Sequence, residues 1–260
     1  MKASIFFGTD VGKMRSHNED NFVVIRGKNS EMMGNKSSAV WQKLTLRGEG
    51  IFFSVIDGMG GSAGGEVASS TVAKYIINNW PVIKVEKSDR IATTALENAN
   101  ENLNQLAETN SDLVKMGAVA TACYLSGGSI YGSQVGDTRL YLLREGILTQ
   151  VSEDQTFVSN LVRMGIITPK EAETHPQRNV VSQALGPGQV LKPVAFKNKI
   201  KAGDKLLVCS DGLHGLVPFK VIQNTLLQTN GDQTIESLLH LANEHGGTDN
   251  ITAILVEISA

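Results

Sequence analysis

The hydrophobic positions of the chain alternate between the spacing of strands and the spacing of helices. Short apolar runs predict strands, and Ile91, Ala95 and Ala99 recur at the period of a helix. The predicted strands cover residues 5–10, 21–25, 51–56, parts of 117–151, 193–200, 205–210 and 251–258, and the predicted helices cover about 66–79, the segment after 88, 218–229 and 233–245. Strands in hairpins with helices inserted in pairs predict an α+β fold of mainly antiparallel sheets covered by helices.

Turn-forming and helix-capping residues predict some of the element ends. Pro81 predicts the end of the first helix, because proline lacks the N–H that a helix interior needs. Ser88 and Asp89 are residue types that cap helix N-termini. Glu145-Gly146 predicts a hairpin turn between two strands.

Two segments depart from the regular pattern. Residues 152–190 contain short helical pieces and several prolines, which predicts an excursion from the sheet and not a separate domain. Residues 27–50 are polar and have no clear period, so we interpret them as a long hairpin connection.

Charge and cysteine content argue against several classes of partner. The 24 basic and 26 acidic residues give a net charge of −2, so no basic surface for nucleic acid or an anionic membrane is expected. No apolar run approaches the ~20 residues of a membrane helix, and the first residues are too short an apolar stretch for a secretory signal. Cys123 and Cys209 lie in apolar runs and predict packed thiols without a disulfide. The expected location is the cytoplasm.

Acidic residues recur at the ends of the predicted strands. They are Glu19, Asp20, Asp57, Asp137, Asp211 and Asp249. Each one alone is explained as a turn residue, because Asp at a strand end commonly makes an Asx turn. If several of these strand ends met at one rim, however, their carboxylates would repel one another unless cations lay among them. An all-oxygen donor set suits Mg²⁺ or Mn²⁺, whereas zinc sites usually include His or Cys.

Two further features are ambiguous when taken alone. Arg15 lies four residues before Glu19, and its planar fork of donors matches phosphate oxygens, although without the acids a solvated loop arginine would be the better interpretation. The glycine-rich loop over residues 57–66 precedes a helix and lacks the Lys-Ser/Thr of a P-loop. Its glycines can instead let backbone carbonyls approach a metal.

Five ordered sequence blocks resemble the signature of the type 2C, metal-dependent protein phosphatases. The blocks are Arg15-Ser16-His17-Asn18-Glu19-Asp20, Asp57-Gly58-Met59-Gly60-Gly61, Gly136-Asp137-Thr138-Arg139, Ser210-Asp211-Gly212 and Gly247-Thr248-Asp249-Asn250. The stretch from Glu153 through Gly186 resembles the flap of the bacterial branch, and the resemblance runs from residue 8 to 258. It implies a single phosphatase domain over residues 1–260, with a flap subdomain at about 152–190. The implied fold is a four-layer α-β-β-α sandwich of two packed, mainly antiparallel sheets flanked by helix pairs.

The resemblance also implies two core Mn²⁺ or Mg²⁺ ions, a possible third ion and a role for each acid. Asp57 would bridge the core pair and the Gly58 carbonyl would hold one of its ions. Asp211 and Asp249 would ligate the other ion, and Glu19 and Asp20 would act directly or through water. Asp137, with Asp211, would bind the third, weaker ion.

The implied reaction is hydrolysis of phosphoserine and phosphothreonine by direct attack of a water that bridges the two metals, with Arg15 binding the phosphate. The expected partners are phosphorylated proteins, including a cognate serine/threonine kinase or its targets, and the expected state is a monomer. Met59 replaces a histidine that many eukaryotic relatives have as a proposed general acid, which leaves protonation of the leaving oxygen to water. Gln155 replaces a frequent flap histidine, which puts a catalytic role for that side chain in doubt.

Two alternatives remain open on the sequence. A pseudophosphatase would dock phosphoproteins without turnover, but every acidic ligand position is filled. A hydrolase of small phosphates or nucleic acid is the other alternative, and the missing basic groove argues against nucleic acid.

Overall fold

The computed structural model describes residues 2–26, 29–34, 44–47, 50–60, 64–110, 114–188 and 190–260. Its strands are β1 (Lys2–Asp10), β2 (Asn21–Arg26), β3 (Asn29–Gly34), β4 (Leu44–Arg47), β5 (Ile51–Met59), β6 (Gly117–Ser126), β7 (Ser129–Val135), β8 (Arg139–Arg144), β9 (Ile147–Gln150), β10 (Val194–Lys199), β11 (Lys205–Cys209) and β12 (Ile251–Ser259). Its helices are α1 (Gly64–Ile83), α2 (Ile91–Thr109), α3 (Phe157–Arg163), α4 (Pro169–Glu173), α5 (Asp211–His214), α6 (Phe219–Gln228) and α7 (Asp232–Glu244).

The strands form two six-stranded sheets. Sheet 1 has the order β4-β1-β12-β11-β8-β9, and sheet 2 has the order β10-β7-β6-β5-β2-β3. All of these neighbours pair in the antiparallel direction, which confirms the predicted sheet type.

Three apolar layers hold the two sheets and their helices together. Phe7 of sheet 1 and Phe22 of sheet 2 meet between the sheets, with ring centroids 4.8 Å apart. Trp80 of α1 packs on Phe52 of sheet 2 at 5.2 Å. Leu238 of α7 belongs to the apolar layer on the outer face of sheet 1. The structure is therefore the expected α-β-β-α sandwich.

The surroundings of strand β5 explain why its sequence is an apolar run without alternation. Phe53 and Val55 face the layer between the sheets, while Phe52 and Ile56 face α1 and α2. A strand covered on both faces buries every side chain, so the period of two disappears from the sequence. The strand also extends past the predicted end at residue 56 and includes Asp57.

The predicted end of α1 before Pro81 is wrong, because the helix continues to Ile83. The N–H of Lys84 donates to the Trp80 carbonyl at 3.0 Å, so the hydrogen-bond ladder resumes beyond the proline. Trp80 and Ile83 are both buried in the core. Burial of two large side chains favours the extra turn despite the cost of the proline.

The predicted cap of α2 by Ser88 or Asp89 is also wrong. The N-cap is Arg90, and it makes no side-chain cap hydrogen bond. Instead the Lys87 carbonyl accepts from the N–H groups of Arg90 and Ile91 at 2.7 and 3.2 Å, so a preceding turn leads directly into the helix.

The segment 27–50 contains more structure than the predicted hairpin connection. Strand β3 pairs with β2 at the edge of sheet 2, and β4 pairs with β1 at the edge of sheet 1. The segment therefore supplies one of the two edge strands of each sheet, and only its residues 27–28, 35–43 and 48–49 lie outside the described part of the chain. Edge strands pair on one side only and tolerate polar sequences, which hides them from a reading of apolar period.

The segment 152–190 contains the short helices α3 and α4, as expected. Thr168 caps α4 in a full capping box with Glu171. The segment returns to sheet 2 through a bridge between Leu185 and Ala118. Across the described ranges, no helix has the length and apolar character needed to cross a bilayer.

The strand register places the acidic strand ends at one end of the sandwich. In sheet 1, Asp10 lies opposite Ile251, so the end of β1 and the start of β12 coincide. Cys209 lies opposite Ala253, which brings the end of β11 to the same rim. In sheet 2, Asn21 lies opposite Ile56, so residues 20 and 57 lie side by side.

The opposite end of sheet 1 contains an ion pair between the buried Asp204 and the partly exposed Arg144, and this pair predicts a pH dependence of stability. Arg144 donates to both carboxylate oxygens of Asp204 at 2.9 and 2.7 Å, and the Lys201 N–H donates at 2.7 Å. Burial alone would raise the pKa of Asp204, but these donors outweigh it and lower the pKa. The folded-state pKa thus lies below the unfolded value of about 4. The stabilisation is present above that value and is lost as pH falls through the folded-state pKa.

We therefore expect Asp204→Asn to lower the free energy of unfolding at pH 7 and to flatten its decline below about pH 4. Urea unfolding at several pH values measures both effects. Exposed Asp89→Asn is the matched control. An Asp204→Asn protein with the pH slope of the wild type would contradict the prediction.

Candidate active site

Asp57 lies at the centre of a group of carboxyls at this end of the sandwich. Burial first, then repulsion by Asp20 and Asp211 and more weakly by Asp137 and Asp249, raises the pKa of Asp57 well above its ordinary value. These five acids come from five separate places in the sequence. The strand ends therefore meet in the structure, which could only be assumed from the sequence.

Asp20 is buried and held by hydroxyl groups. The Ser210 hydroxyl donates to Asp20 Oδ2 at 2.7 Å, and only 2% of Asp20 is exposed. Burial, with weaker repulsion from Asp211 and Asp249, raises the pKa of Asp20 to about 7 despite that hydrogen bond. Ser210 also accepts from the Thr252 N–H at 3.0 Å, so it links β11, β12 and the start of β2.

Asp211 is the first residue of the short helix α5, directly after β11. Its carboxyl lies within hydrogen-bonding reach of that of Asp57. Burial, followed by repulsion from Asp249, raises the pKa of Asp211 to about 6. Two carboxyls in contact share a proton readily, or a cation in place of the proton.

Arg15 is the cation beside the acids. Its Nη2 donates to Asp249 Oδ2 at 2.8 Å, with the two side chains 48% and 35% exposed. Burial opposes the charge of Arg15, but attraction to Asp249, Glu19 and Asp57 outweighs it and raises the pKa of the guanidinium. Arg15 thus lies between the carboxyls and solvent, where a ligand would approach.

Glu19 joins the group through the turn that it shares with Arg15. Burial, together with Asp249 and Glu66, raises the pKa of Glu19, and Arg15 partly offsets this. The Glu19 N–H donates to Asn250 Oδ1 at 2.8 Å. The amide of Asn250 in turn donates to the carbonyls of Val11 and His17 at 2.8 and 2.9 Å, so one side chain fixes the β1–β2 connection at three points to the start of β12.

Close backbone packing explains the glycine at position 58. A Cβ there would overlap the Gly65 carbonyl and would lie 2.7 Å from the Glu19 carbonyl oxygen. At Gly65, a Cβ would lie 2.8 Å from the Glu19 carboxyl. These glycines therefore let β5, the start of α1 and the Glu19 turn meet without side chains between them. Residues 61–63 of the same loop lie outside the described residues.

Asp137 occupies the turn between β7 and β8 and is 8% exposed. Burial, followed by repulsion from Asp211 and Asp154, raises its pKa to about 7. Gln155 holds this turn: its Oε1 accepts from the Gly136 N–H and its Nε2 donates to the Lys192 carbonyl, each at 2.8 Å. Both ends of Gln155 are engaged, so the side chain that replaces a frequent histidine here joins the Asp137 turn to residues 182–192.

All eight residues singled out from the sequence thus lie at this end of the sandwich. The structure adds supporting residues that sequence reasoning missed, namely Ser210, Asn250, Thr252 and His214. Ser210 and Asn250 stand inside the quoted motif blocks, next to the acids. That adjacency was the available signal, whereas nothing in the sequence distinguishes Thr252 or His214.

The donor set of this region fits Mg²⁺ or Mn²⁺. Desolvated carboxyls that repel one another form a favourable environment for divalent cations. Among the described residues, no group of three or more His, Cys, Asp or Glu side chains already stands in the arrangement that holds a metal ion. Magnesium usually takes only one or two carboxylates and keeps several waters. The neighbouring carboxyls of Asp57 and Asp211 supply such a pair.

Comparison with known proteins agrees with this site. The family model described as protein phosphatase 2C matches residues 11–160. The serine/threonine phosphatase stp of Listeria monocytogenes is 31% identical over 256 residues, covering 96% of this chain and 94% of the relative. The crystal structure of the Mycobacterium tuberculosis serine/threonine phosphatase PstP/Ppp superposes with a TM-score of 0.83 at 30% identity, over 100% of both chains. The catalytic domain of PstP in complex with two manganese ions superposes with a TM-score of 0.78 at 29% identity, again over 100% of both chains.

A sandwich of two antiparallel sheets with an acidic site at one end defines the class as a phosphatase of the metal-dependent type. The chain belongs to the protein phosphatase 2C family. It is an enzyme, a phosphoprotein phosphatase.

Proposed function

We propose that the chain is a Mn²⁺- or Mg²⁺-dependent serine/threonine protein phosphatase that uses two core metal ions and a third, weaker one. The observation that carries this proposal is the convergence of Asp20, Asp57, Asp211 and Asp249 beside Arg15. The serine/threonine phosphatases among the relatives, and the manganese-bound PstP structure, support it.

Each carboxyl has a proposed role in metal binding. Asp57 would bridge the two core ions, because Asp20, Asp211, Asp137 and Asp249 all act on its carboxyl. The Gly58 carbonyl would serve one core ion, and Asp211 and Asp249 would serve the other. Glu19 and Asp20 would act directly or through water.

Asp137 and Asp211 would form the outer site. Each raises the pKa of Asp57, and Asp211 is the largest source of repulsion on Asp137 after burial. These electrostatic interactions support an outer ion that shares Asp211 with the core pair of ions.

The chain's own residues then orient and neutralise the phosphate. When bound, a metal pair supplies a water of lowered pKa and offsets charge at the phosphoryl group. Arg15 has five N–H donors. Its Nη2 donates to Asp249, and its Nε donates to the Thr248 carbonyl at 3.4 Å. Its remaining donors can bind phosphate oxygens, and such charge placement is the main source of catalysis in phosphoryl transfer.

No side chain in the described part of the site is assigned as general acid. Met59 has no proton to give. His214 lies beside the site, but its Nε2 contacts the Asp137 carbonyl and burial lowers its pKa well below the ordinary value. Protonation of the leaving oxygen is therefore proposed to come from water.

The proposed substrates are phosphorylated proteins, including a cognate serine/threonine kinase or its targets. We propose that the protein acts as a cytoplasmic monomer and that its 260 residues form one phosphatase domain with a flap over residues 152–190. The buried free thiols of Cys123 and Cys209 are consistent with a reducing compartment.

Hydrolysis of synthetic phosphopeptides tests the proposal. The purified protein is expected to release phosphate from phosphoserine and phosphothreonine peptides when Mn²⁺ or Mg²⁺ is present, and to stop when a chelator is added. A phosphotyrosine peptide of the same sequence measures specificity. Binding of the phosphopeptides without any release, by folded protein supplied with metal, would instead indicate a pseudophosphatase.

A further inference from the structure

The backbone of the turn that carries Asp137 is fixed by side chains from several elements. The Gly136 carbonyl accepts from Gln134 Nε2 at 2.9 Å, and the Gly136 N–H donates to Gln155 at 2.8 Å. The Thr138 carbonyl accepts from the hydroxyl of Thr121 at 2.8 Å. These contacts come from β6, β7 and the segment after β9, and they leave the Asp137 carbonyl itself to another partner.

That partner is His214, at the end of α5. Its Nε2 lies 3.0 Å from the Asp137 carbonyl oxygen. A carbonyl can only accept a hydrogen bond, so Nε2 carries the proton in this contact. The helix that holds His214 begins at Asp211, three residues earlier. Among the hydrogen bonds of this turn in the described ranges, the His214 contact is the one that reaches the Asp211 helix.

The contact opposes a repulsion. Asp137 and Asp211 are both largely desolvated, and the charge of Asp211 disfavours that of Asp137. The pairing of β8 with β11 ends at Arg139 and Cys209, so beyond it the His214 contact joins the turn to the helix. The imidazole supplies this link through its Nε2, at 3.0 Å from the Asp137 carbonyl oxygen.

We propose that His214 is a positioning residue for the outer metal site. Its hydrogen bond to the Asp137 carbonyl sets the distance between Asp137 and Asp211, so that both carboxylates reach the same outer ion. This inference rests on the proposed function, because it requires an outer ion at these two residues. His214 acts through the backbone of Asp137 and contacts neither substrate nor metal.

Two substitutions separate the hydrogen bond from the volume of the ring. His214→Phe keeps a ring and removes the donor, whereas His214→Gln keeps an N–H donor at the end of the side chain. The exposed His240→Phe is the matched control, since 71% of that side chain is accessible. Thermal unfolding of each metal-free protein establishes that it is folded.

Manganese binding followed by electron paramagnetic resonance gives the readout. Loss of a residue that hydrogen-bonds to a metal ligand typically lowers metal affinity by about 10- to 100-fold. We expect His214→Phe to weaken the outer site by about that factor and to leave the two core sites unchanged. His214→Gln is expected to restore most of the affinity. Equal weakening of all sites, or an outer site of wild-type affinity in His214→Phe, would overturn the proposal.

Asp137→Asn distinguishes failure of this inference from failure of the outer-site assignment. If Asp137→Asn removes the outer ion and His214→Phe does not, the positioning role alone is wrong. If Asp137→Asn leaves the binding curve unchanged, the outer ion is not at Asp137, and the role of His214 is overturned together with that assignment.

A second measurement needs no metal. The ¹⁵N chemical shifts of the His214 ring in the metal-free wild type report which nitrogen carries the proton. The structure predicts the Nε2–H form. An Nδ1–H form, or a ring that exchanges between both, would overturn the proposed hydrogen bond without any reference to activity.

Discussion

Asp57→Asn is expected to lower kcat/KM for a phosphothreonine peptide by at least about 10²- to 10³-fold at saturating Mn²⁺, the range seen when one electrostatic contributor to a transition state is removed. The amide keeps the size of the side chain and removes its charge. Asp57 is the acid that interacts with Asp20, Asp137, Asp211 and Asp249, so its charge affects the whole carboxyl group.

The same substitution has an opposite effect on the metal-free fold. Burial and repulsion disfavour the charged form of Asp57, so a neutral amide at this position removes the free-energy cost of the buried charge. We expect Asp57→Asn without metal to unfold at the wild-type temperature or higher, and to lose the stabilisation that Mn²⁺ gives the wild type. Asp89→Asn, on an exposed acid, controls for a general charge effect. Retention of more than a tenth of the activity by Asp57→Asn would contradict the bridging role.

Arg15→Ala is expected to lower kcat/KM by about 10²- to 10³-fold, because the guanidinium would bind phosphate oxygens as they gain charge. Arg15→Lys is expected to recover only part of this loss, since an ammonium group lacks the planar fork of donors. Phosphopeptide kinetics across the three proteins measure both effects.

The chain contains a well-matched control for Arg15. Arg90 pairs with Glu97 at 2.9 Å with exposures of 52% and 40%, close to those of the Arg15–Asp249 pair. Exposed ion pairs contribute only about 0–1 kcal/mol to stability. Arg90→Ala and Arg15→Ala should therefore have similar stability, and only Arg15→Ala should lose activity. Equal activity of both variants would remove Arg15 from the phosphate site.

Much of the fold could be predicted because the apolar residues of most helices and strands have the spacing typical of that element. The amphipathic helix α2 and the doubly buried strand β5 both show their environment in their sequence. The errors occurred where local signals competed with packing. Pro81 indicates a helix end, yet the buried Trp80 and Ile83 hold one more turn. Edge strands β3 and β4 pair on one side, so residues 27–50 gave no clear period.

The site could be predicted as a set of residue types but not as a geometry. Two of the carboxyls that meet at Asp57, those of Asp20 and Asp249, are 229 positions apart, and only the strand register brings them to one rim. Supporting contacts are harder still to predict. Ser210 reaches Asp20 across 190 positions and His214 reaches Asp137 across 77. Serine and histidine have many ordinary roles, so neither residue type indicates such a contact by itself.

The central claim is that the gathered carboxyls bind the metal ions that make the protein a phosphatase. The most direct test is phosphothreonine-peptide hydrolysis across a Mn²⁺ titration, comparing the wild type with Asp211→Ala. We expect wild-type activity to rise with Mn²⁺ to saturation. Asp211→Ala is expected to be folded but nearly inactive at every Mn²⁺ concentration, because a core ligand and the partner of Asp57 are missing. Equal rates for the two proteins would contradict the two-metal account.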